Sequence, residues 1–571
     1  DALYNTGSAS VPASAVTDTD TTPPTLNRAV LTSTPFASSD TAISTTAATG
    51  FDQSAPASAA TQSGCGSSIS ITNPSFESGT TGWSNATTSN NEFYSPVDGT
   101  NYATRPGGSG YTTQLTGHII SAGDTYTLTV WARSTNAPGT TSETNAEAGL
   151  YYGSTTIASM IQDVNPVRLS GAPDTYPNDD GGNVWIDNGY RMEFSQDVLY
   201  QLTSADPLYD TWNRQNDSDY EHDMAVGPVI TPEGLKALYN TYYEDSYPFY
   251  SEIWVSNASG SPPDYNWSSG GTILSNSKSE NPWVIDAHCY YDSETSRLWM
   301  SWGGGTLWVS ELDPYDGQLI DYPPNPEFDT HSAGAHTEVA CWDGDEWSSS
   351  WFEGPALYKH NGYWYLFGSY GNLGVNYTIR GGRGTSPNGP FYDKEGVDLT
   401  AYDSEESEYG NTIFLGHDGW QTNPGHPHIW QESGKYYMGY DYVEQYSGGN
   451  GTDTFGIRRL YWVNDWPTIW TPITVTFNAD NHPDAIGQEL GISLRNTGSG
   501  SDAAFDYVSL THSLSADMDY DADVDLEDYA LFALQWMETN CGDCSGAELT
   551  GDGNVDLNDF NIFTDKWLNG K

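Results

Sequence analysis

Cationic side chains are scarce in this sequence: 19 Lys and Arg stand against 76 Asp and Glu, a formal charge of −57 over 571 residues. A surface this anionic repels phosphate backbones and anionic lipid, which excludes nucleic acid and membrane surfaces and leaves neutral sugars and divalent cations as partners. Cysteine is sparse too. Of the five, Cys541 and Cys544 are close enough for a local clip, while Cys65, Cys289 and Cys341 are scattered, so there is no disulfide scaffold. No apolar run reaches the roughly 20 residues that span a bilayer. The opening Asp1-Ala-Leu-Tyr lacks the charged and apolar regions of a secretory leader, and the expectation is a mature or trimmed form of an exported protein, secreted or held at the cell surface. Only 36% of residues are hydrophobic, yet aromatics reach 13%, with 21 Trp and 39 Tyr. Those rings must be buried or must stack on something, so a disordered acidic chain is excluded. At roughly 150 residues per domain the length corresponds to about three or four domains.

Residues 1–64 are rich in Ser, Thr and Ala without a sustained period and read as a linker or the remnant of an upstream domain. From 66 the texture changes. Tyr126-Thr-Leu-Thr-Val-Trp-Ala alternates with period two, and Ile473-Thr-Val-Thr-Phe and Phe505-Asp-Tyr-Val-Ser-Leu repeat that pattern far downstream. Neither piece alone has enough strands for a sandwich. Together, Asn73-Pro-Ser-Phe-Glu with Gly82-Trp83 at one end and the Phe505 strand at the other resemble a jelly-roll carbohydrate-binding module. The expectation is one β-sandwich split into 66–165 and 469–513, with a domain inserted over 166–468. Glu77 and Asp506 are candidates to share a structural calcium between its first and last strands.

That insert repeats itself. A tight turn followed by an apolar strand recurs at Asp187-Asn-Gly-Tyr, Glu233-Gly-Leu, Ser296-Arg-Leu-Trp, Asn361-Gly-Tyr-Trp and Ser433-Gly-Lys-Tyr. Spacings of some 45 to 75 residues suit one four-stranded blade per copy, and five copies imply a five-bladed β-propeller. The whole chain is therefore expected to be mainly β, with a small helical domain at 514–571.

In that last segment Asp517, Asp519, Asp521, Asp523, Asp525 and Asp528 hold positions 1, 3, 5, 7, 9 and 12 of a twelve-residue loop, and Glu548, Thr550, Asp552, Asn554, Asp556 and Asp559 repeat the offsets. Calcium takes six to eight hard oxygen ligands, which such alternation presents. Each loop leads into a helix with apolar positions at 3.6 spacing. Two such loops closing on Asp resemble a dockerin module, which implies calcium as cofactor and a cohesin-type protein as partner. Ala522 replaces the usual turn glycine, so the first site is expected to be the weaker.

Trp351-Phe-Glu-Gly-Pro-Ala-Leu-Tyr, Gly381-Gly-Arg-Gly, Gly389-Pro-Phe-Tyr-Asp-Lys-Glu-Gly, Val284-Ile-Asp-Ala-His and Asn423-Pro-Gly-His-Pro resemble glycoside hydrolase family 43, especially its endo-arabinanases, over roughly 280–467. Inverting glycosidases use one protonated carboxyl to assist the leaving oxygen and one carboxylate, roughly 6.5–9.5 Å away, to activate water. A third carboxylate near the acid keeps it protonated by like-charge repulsion. The resemblance implies Glu353 as the acid and Asp286 as the third carboxylate. The base falls on Asp180, with Asp179 and Asp223 as alternatives. His426 matches an axial histidine beside a metal, commonly calcium, reached largely through water. Arg383 matches an arginine that braces or contacts substrate, and Trp283 and Trp302 near Asp286 are candidate sugar-stacking platforms.

The substrate so implied is an α-1,5-L-arabinan or a related arabinose- or xylose-containing polysaccharide. Two other readings stay open: an exo-acting arabinofuranosidase or xylosidase, and a non-catalytic glycan-binding protein. The departures at Ala287 and Gly354 and the divergent first blade motivate the second.

Overall fold

Asn188-Gly189, Asn361-Gly362 and Ser433-Gly434 each take two consecutive left-handed conformations, with φ of 46° and 82°, 52° and 82°, and 50° and 74°. Glycine at the second position and a small polar residue at the first permit this two-residue turn, whose twist matches the strands it joins. Each turn links the first and second strands of an antiparallel sheet, four-stranded for the first two turns and five-stranded for the third.

The computed structural model describes residues 67–571 except 91–94, 136–143, 171–173, 176–182, 195–197, 216–225, 245–249, 277–282, 321–335, 342–350, 372–375, 401, 404–407, 410–411, 445–451, 499–501, 514–515, 519–523, 540–546, 548, 550–553 and 568–571. Residues 1–64 therefore lie outside the described residues. Among those described, five such sheets follow one another. Their first strands are Val184–Asp187, Gly227–Ile230, His288–Asp292, Trp351–His360 and Gln421–Glu432. The five sequence repeats all fall between the first and second strands. The fifth sheet also carries Asp174–Thr175, which pairs with Thr452–Val463, so the strand that enters this region is held by the sheet that leaves it.

Each sheet packs face to face on the next. Trp185, Met192 and Phe194 of the first meet Leu238 and Tyr265 of the second. Ala237, Ile253 and Leu274 of the second meet Leu298 and Met300 of the third. Trp299 and Val309 meet Leu357 and Leu366, and Tyr365 and Phe367 meet Met438 and Tyr440. The fifth returns to the first through Trp430 and Phe455 against Leu199 and Trp212. Arg191 of the first sheet adds a forked ion pair to Glu432 of the fifth, at 2.5 and 2.7 Å. The sheets thus close a ring, and the first strands of successive sheets, from the first to the fifth, contact one another.

Two further sheets draw on both sides of this ring in sequence. One contains Thr125–Ser134 between Thr471–Asn478 and Ala503–Ser513, and the other places Glu489–Asn496 between Thr112–Ile119 and Asn145–Tyr152. Their inward residues, among them Leu128, Val130, Ile492 and Phe505, form one core. Glu77 is engaged by the backbone of Thr100 and Asn101, whereas Asp506 accepts from the N–H groups of Asp98 and Tyr507. Both carboxylates thus engage the same 98–101 segment, and the charge of each acts on the nearby Lys394 ammonium. The ammonium of Lys394, from the connection between the third and fourth strands of the ring's fourth sheet, reaches this region and donates to the carbonyls of Pro96 and Val97, both at 2.8 Å.

Near the C-terminus, α1 (Leu526–Leu534) and α2 (Leu557–Lys566) start at Asp525 and Asp556, each closing a capping box with Asp528 or Asp559. Lys566 donates to Ala122 O and Asp124 Oδ1 at 2.6 and 2.8 Å, fastening α2 to the two-sheet domain.

Candidate active site

Asp286 precedes the third sheet's first strand in a left-handed conformation, φ 58°, which costs a residue with a Cβ about 1–2 kcal/mol. Two hydrogen bonds hold it there. Its N–H donates to Thr241 Oγ1 at 2.8 Å, and its Oδ2 accepts from the N–H of Gly354 at 3.0 Å. The carboxylate of one sheet is thereby bonded to the residue next to Glu353 on the following sheet, and Asp286 is only 5% exposed.

Glu353 itself lies at a break in register between Glu353 and Ala356 in the pairing with Tyr363–Gly371. Such a bulge re-aims a side chain out of the regular pleat. The Glu353 side chain is half-buried, and its Oε1 accepts from the hydroxyl of the buried Tyr377. Gly354 has φ 57°, and a Cβ there would sit 2.9 Å from Ser369 Oγ and 3.2 Å from the His426 ring. Glycine at this position follows from close packing beneath the site.

His426 also has a left-handed backbone, φ 47°, and its N–H donates to Ser369 Oγ at 2.7 Å. Burial pushes its imidazole down to about 4, so the ring is neutral. Its Nδ1 is buried with no hydrogen-bond partner among the described residues. Such a nitrogen fits one metal ligand. No group of three or more His, Cys, Asp or Glu able to hold a metal occurs among the described residues.

A second pair of histidines lies nearby that no local spacing announces. Leu357 N–H donates to His288 Nδ1 at 3.3 Å, which leaves the proton on Nε2 to bond His428 Nδ1 at 2.8 Å. His428 bonds the Val184 backbone in turn. This chain runs through the first strands of the fourth, third, fifth and first sheets. Burial, and then the neighbouring His428 and His426, hold His288 well below its ordinary value.

Other expected residues fare differently. Asp180, Asp179 and Asp223 lie outside the described residues. Trp283 is half-buried, its ring edge-on to Tyr243 at 5.4 Å. Trp302 is a correction: it is 0% exposed, bonded through Nε1 to Ser310 and stacked on Trp308, and offers no face to a sugar. Of the two expectations for Arg383, the substrate contact is corrected and the brace is what the structure shows. Ile379 lies opposite Ser369, which pairs with Glu353, and Arg383 is four residues, about 13 Å, further along that strand. Its guanidinium is held between Tyr363 and Trp466 at 4.6 and 4.5 Å and donates to the Asp465 carbonyl, which makes it a brace of the outer sheet.

In the C-terminal segment Asp519, Asp521, Asp523, Glu548, Thr550 and Asp552 lie outside the described residues. Asp517 is buried, and Asn554 bridges to Thr539. Asp525 and Asp556 cap their helices. Asp528 and Asp559 are fully buried, each accepting from backbone N–H groups at both ends of its loop: Met518 and Asp525 for one, Leu549 and Asp556 for the other. Their oxygens are hard donors of the kind calcium takes.

Residues 235–467 match the family model described as glycosyl hydrolases family 43, a span that holds Asp286, Glu353 and His426 and begins after the first sheet. The chain is 25% identical over 217 residues to the extracellular exo-alpha-(1→5)-L-arabinofuranosidase ArbA of Cellvibrio japonicus, covering 36% of this chain and 58% of that protein. It is 29% identical over 217 residues to an extracellular endo-alpha-(1→5)-L-arabinanase of Thermotoga petrophila, covering 34% and 42%. The chain thus spans about half the length of these relatives. Among solved structures, the Cellvibrio cellulosa alpha-L-arabinanase is similar at 18% identity and a TM-score of 0.42, over 55% of this chain and 99% of that one.

Proposed function

We propose that this chain is a glycoside hydrolase that cleaves α-1,5-linked L-arabinan, or a related arabinose- or xylose-containing polysaccharide, with inversion. The observation that carries the reading is the hydrogen bond from Gly354 N–H to Asp286 Oδ2, which joins the residue beside one matched carboxyl to the other at the axis of the ring. The five sheets then serve as blades of one propeller, whose first strands deliver side chains distant in sequence to a common pocket.

In that reaction Asp180, with Asp179 and Asp223 as alternatives, accepts a proton from water. The water oxygen attacks the anomeric carbon as the glycosidic C–O bond breaks, and Glu353 gives its proton to the departing oxygen. Asp286 stays ionised and disfavours a second negative charge on Glu353 until the leaving oxygen takes the proton. His426 would contribute one ligand to an axial calcium, whose charge would order water at the axis.

The remaining parts fit attachment to plant polysaccharide. On the outer face of the second sheet of the sandwich, Tyr151 lies across Gly491, where a Cβ would come within 2.4 Å of its ring, and Thr113, Ser493, Gly149 and Ser159 form a row of small residues beside it. Such a trough suits a jelly-roll carbohydrate-binding-like module. The C-terminal segment reads as a dockerin-like module holding calcium and docking to a cohesin-type protein. The two relatives are named extracellular, and no helix among the described residues is long and apolar enough to cross a membrane. Secretion, with or without surface attachment, suits both.

Linear arabinan is the substrate for the test. Release of reducing ends by the wild type, falling by about 10²–10⁴ in Glu353→Gln, supports the reading. Early products longer than one sugar mark endo action, and monosaccharide alone marks the exo alternative. A wild type inert on arabinan, xylan and aryl arabinofuranosides would leave a glycan-binding protein.

A further inference from the structure

Tyr377 is 2% exposed, and its hydroxyl donates to Glu353 Oε1. The ring is wedged in place. It lies against Gly425 on the fifth sheet, where any Cβ would fall 2.5 Å from Tyr377 Cδ1, so the slot exists only because residue 425 is glycine. Ser369, opposite Glu353 on the neighbouring strand, takes the N–H of His426 and ties the same two sheets together. A phenol so confined fixes one oxygen of the Glu353 carboxyl, and the torsions that would swing that carboxyl out of the site are fixed with it.

From this geometry we infer that Tyr377 is a positioning residue for Glu353: it holds Oε1, so that Oε2 carries the proton destined for the departing oxygen. The inference rests on the hydrolase reading. A hydroxyl donating to a carboxylate also favours its ionised form, so Tyr377 and the nearby Asp286 act on Glu353 in opposite senses. Tyr377 brings forward the pH at which the proton leaves, in exchange for a single orientation.

The test is Tyr377→Phe in the full chain, which keeps the ring and removes only the hydroxyl. On linear arabinan kcat is expected to fall about 10–100-fold with KM little changed, the range of a misplaced catalytic group. The alkaline limb of the pH profile is expected to move to higher pH. On an aryl arabinofuranoside whose phenolate leaves without protonation, the loss should shrink to less than about threefold, because the acid is not needed there. An unchanged alkaline limb, an equal loss on both substrates, or a rise in KM alone would overturn the assignment and make Tyr377 a packing or substrate-contact residue. An inert wild type would defeat the hydrolase reading and this inference together, whereas an active wild type with an unaffected Tyr377→Phe defeats this inference alone.

Discussion

Asp286 Oδ2 and the N–H of Gly354 lie 3.0 Å apart, a bond between two sheets that joins the left-handed backbone of Asp286 to the left-handed backbone after Glu353. Charge and geometry can be separated here. Asp286→Asn keeps an oxygen to accept the bond and loses the charge, so its melting temperature should match the wild type while hydrolysis of arabinan drops. Asp286→Ala leaves the Gly354 N–H without its acceptor, and a buried unsatisfied donor costs about 1–3 kcal/mol. Denaturant unfolding of the two variants should therefore differ even though both are inactive. Equal stability would show that the bond does not hold the site.

The sandwich and the ring should unfold as one. Asp418 is fully buried and accepts from Arg133 and Ser134 of the sandwich at 3.2 and 2.7 Å, and from Arg458 of the ring at 2.8 Å. Asp418→Ala strands two buried guanidinium groups, and breaking a buried pair from one side costs about 3–5 kcal/mol. Calorimetry of the wild type should give one transition for both parts, and the variant should split it or lower it. Two separate transitions in the wild type would contradict this coupling.

Much of this arrangement is legible in the sequence wherever a local backbone requirement selects residue types. Asn188-Gly189, Asn361-Gly362 and Ser433-Gly434 stand out because few residues accept consecutive positive φ. Asp525 and Asp556 stand out through the alternate-residue spacing of their acidic loops, and the structure adds the capping boxes they close. Trp302 misleads for a physical reason: a sheet packed between two others buries both faces, so an aromatic beside a catalytic strand is covered on whichever side it points. His288 and His428, 140 residues apart, meet only because the ring closes. Tyr377 carries no spacing signal either, since its reach to Glu353 depends on the missing side chain of Gly425.

Mild acid should destabilise the fold in part through His360. Its ring stacks on Trp462 at 3.9 Å between centroids, and burial, partly offset by Asp465, pushes it down to about 4. The unfolded chain takes up this proton as pH falls through about 6.5, while the folded chain resists until about 4. Stability from this group is therefore complete above about pH 6.5 and is lost as pH falls towards 4. The urea midpoint of the wild type should drop more between about pH 7 and about pH 5 than that of His360→Gln. Parallel slopes would remove His360 from the account.

Calcium removal should act on the C-terminal helices and on their attachment together. Asp528 and Asp559 tie both ends of their loops by backbone hydrogen bonds, and α2 ends at Lys566, which clasps Asp124. If a cation neutralises the loop carboxylates, a chelator restores their mutual repulsion, the loops open and the helices lose the caps that start them. The full chain should then lose helical circular dichroism and gain protease cleavage after about residue 514, while the sheet signal persists. Lys566→Ala separates docking from folding, since it should raise cleavage with calcium present yet leave the helical signal intact. A chelator-treated chain with unchanged helicity and unchanged cleavage would mean that backbone hydrogen bonds alone sustain these loops.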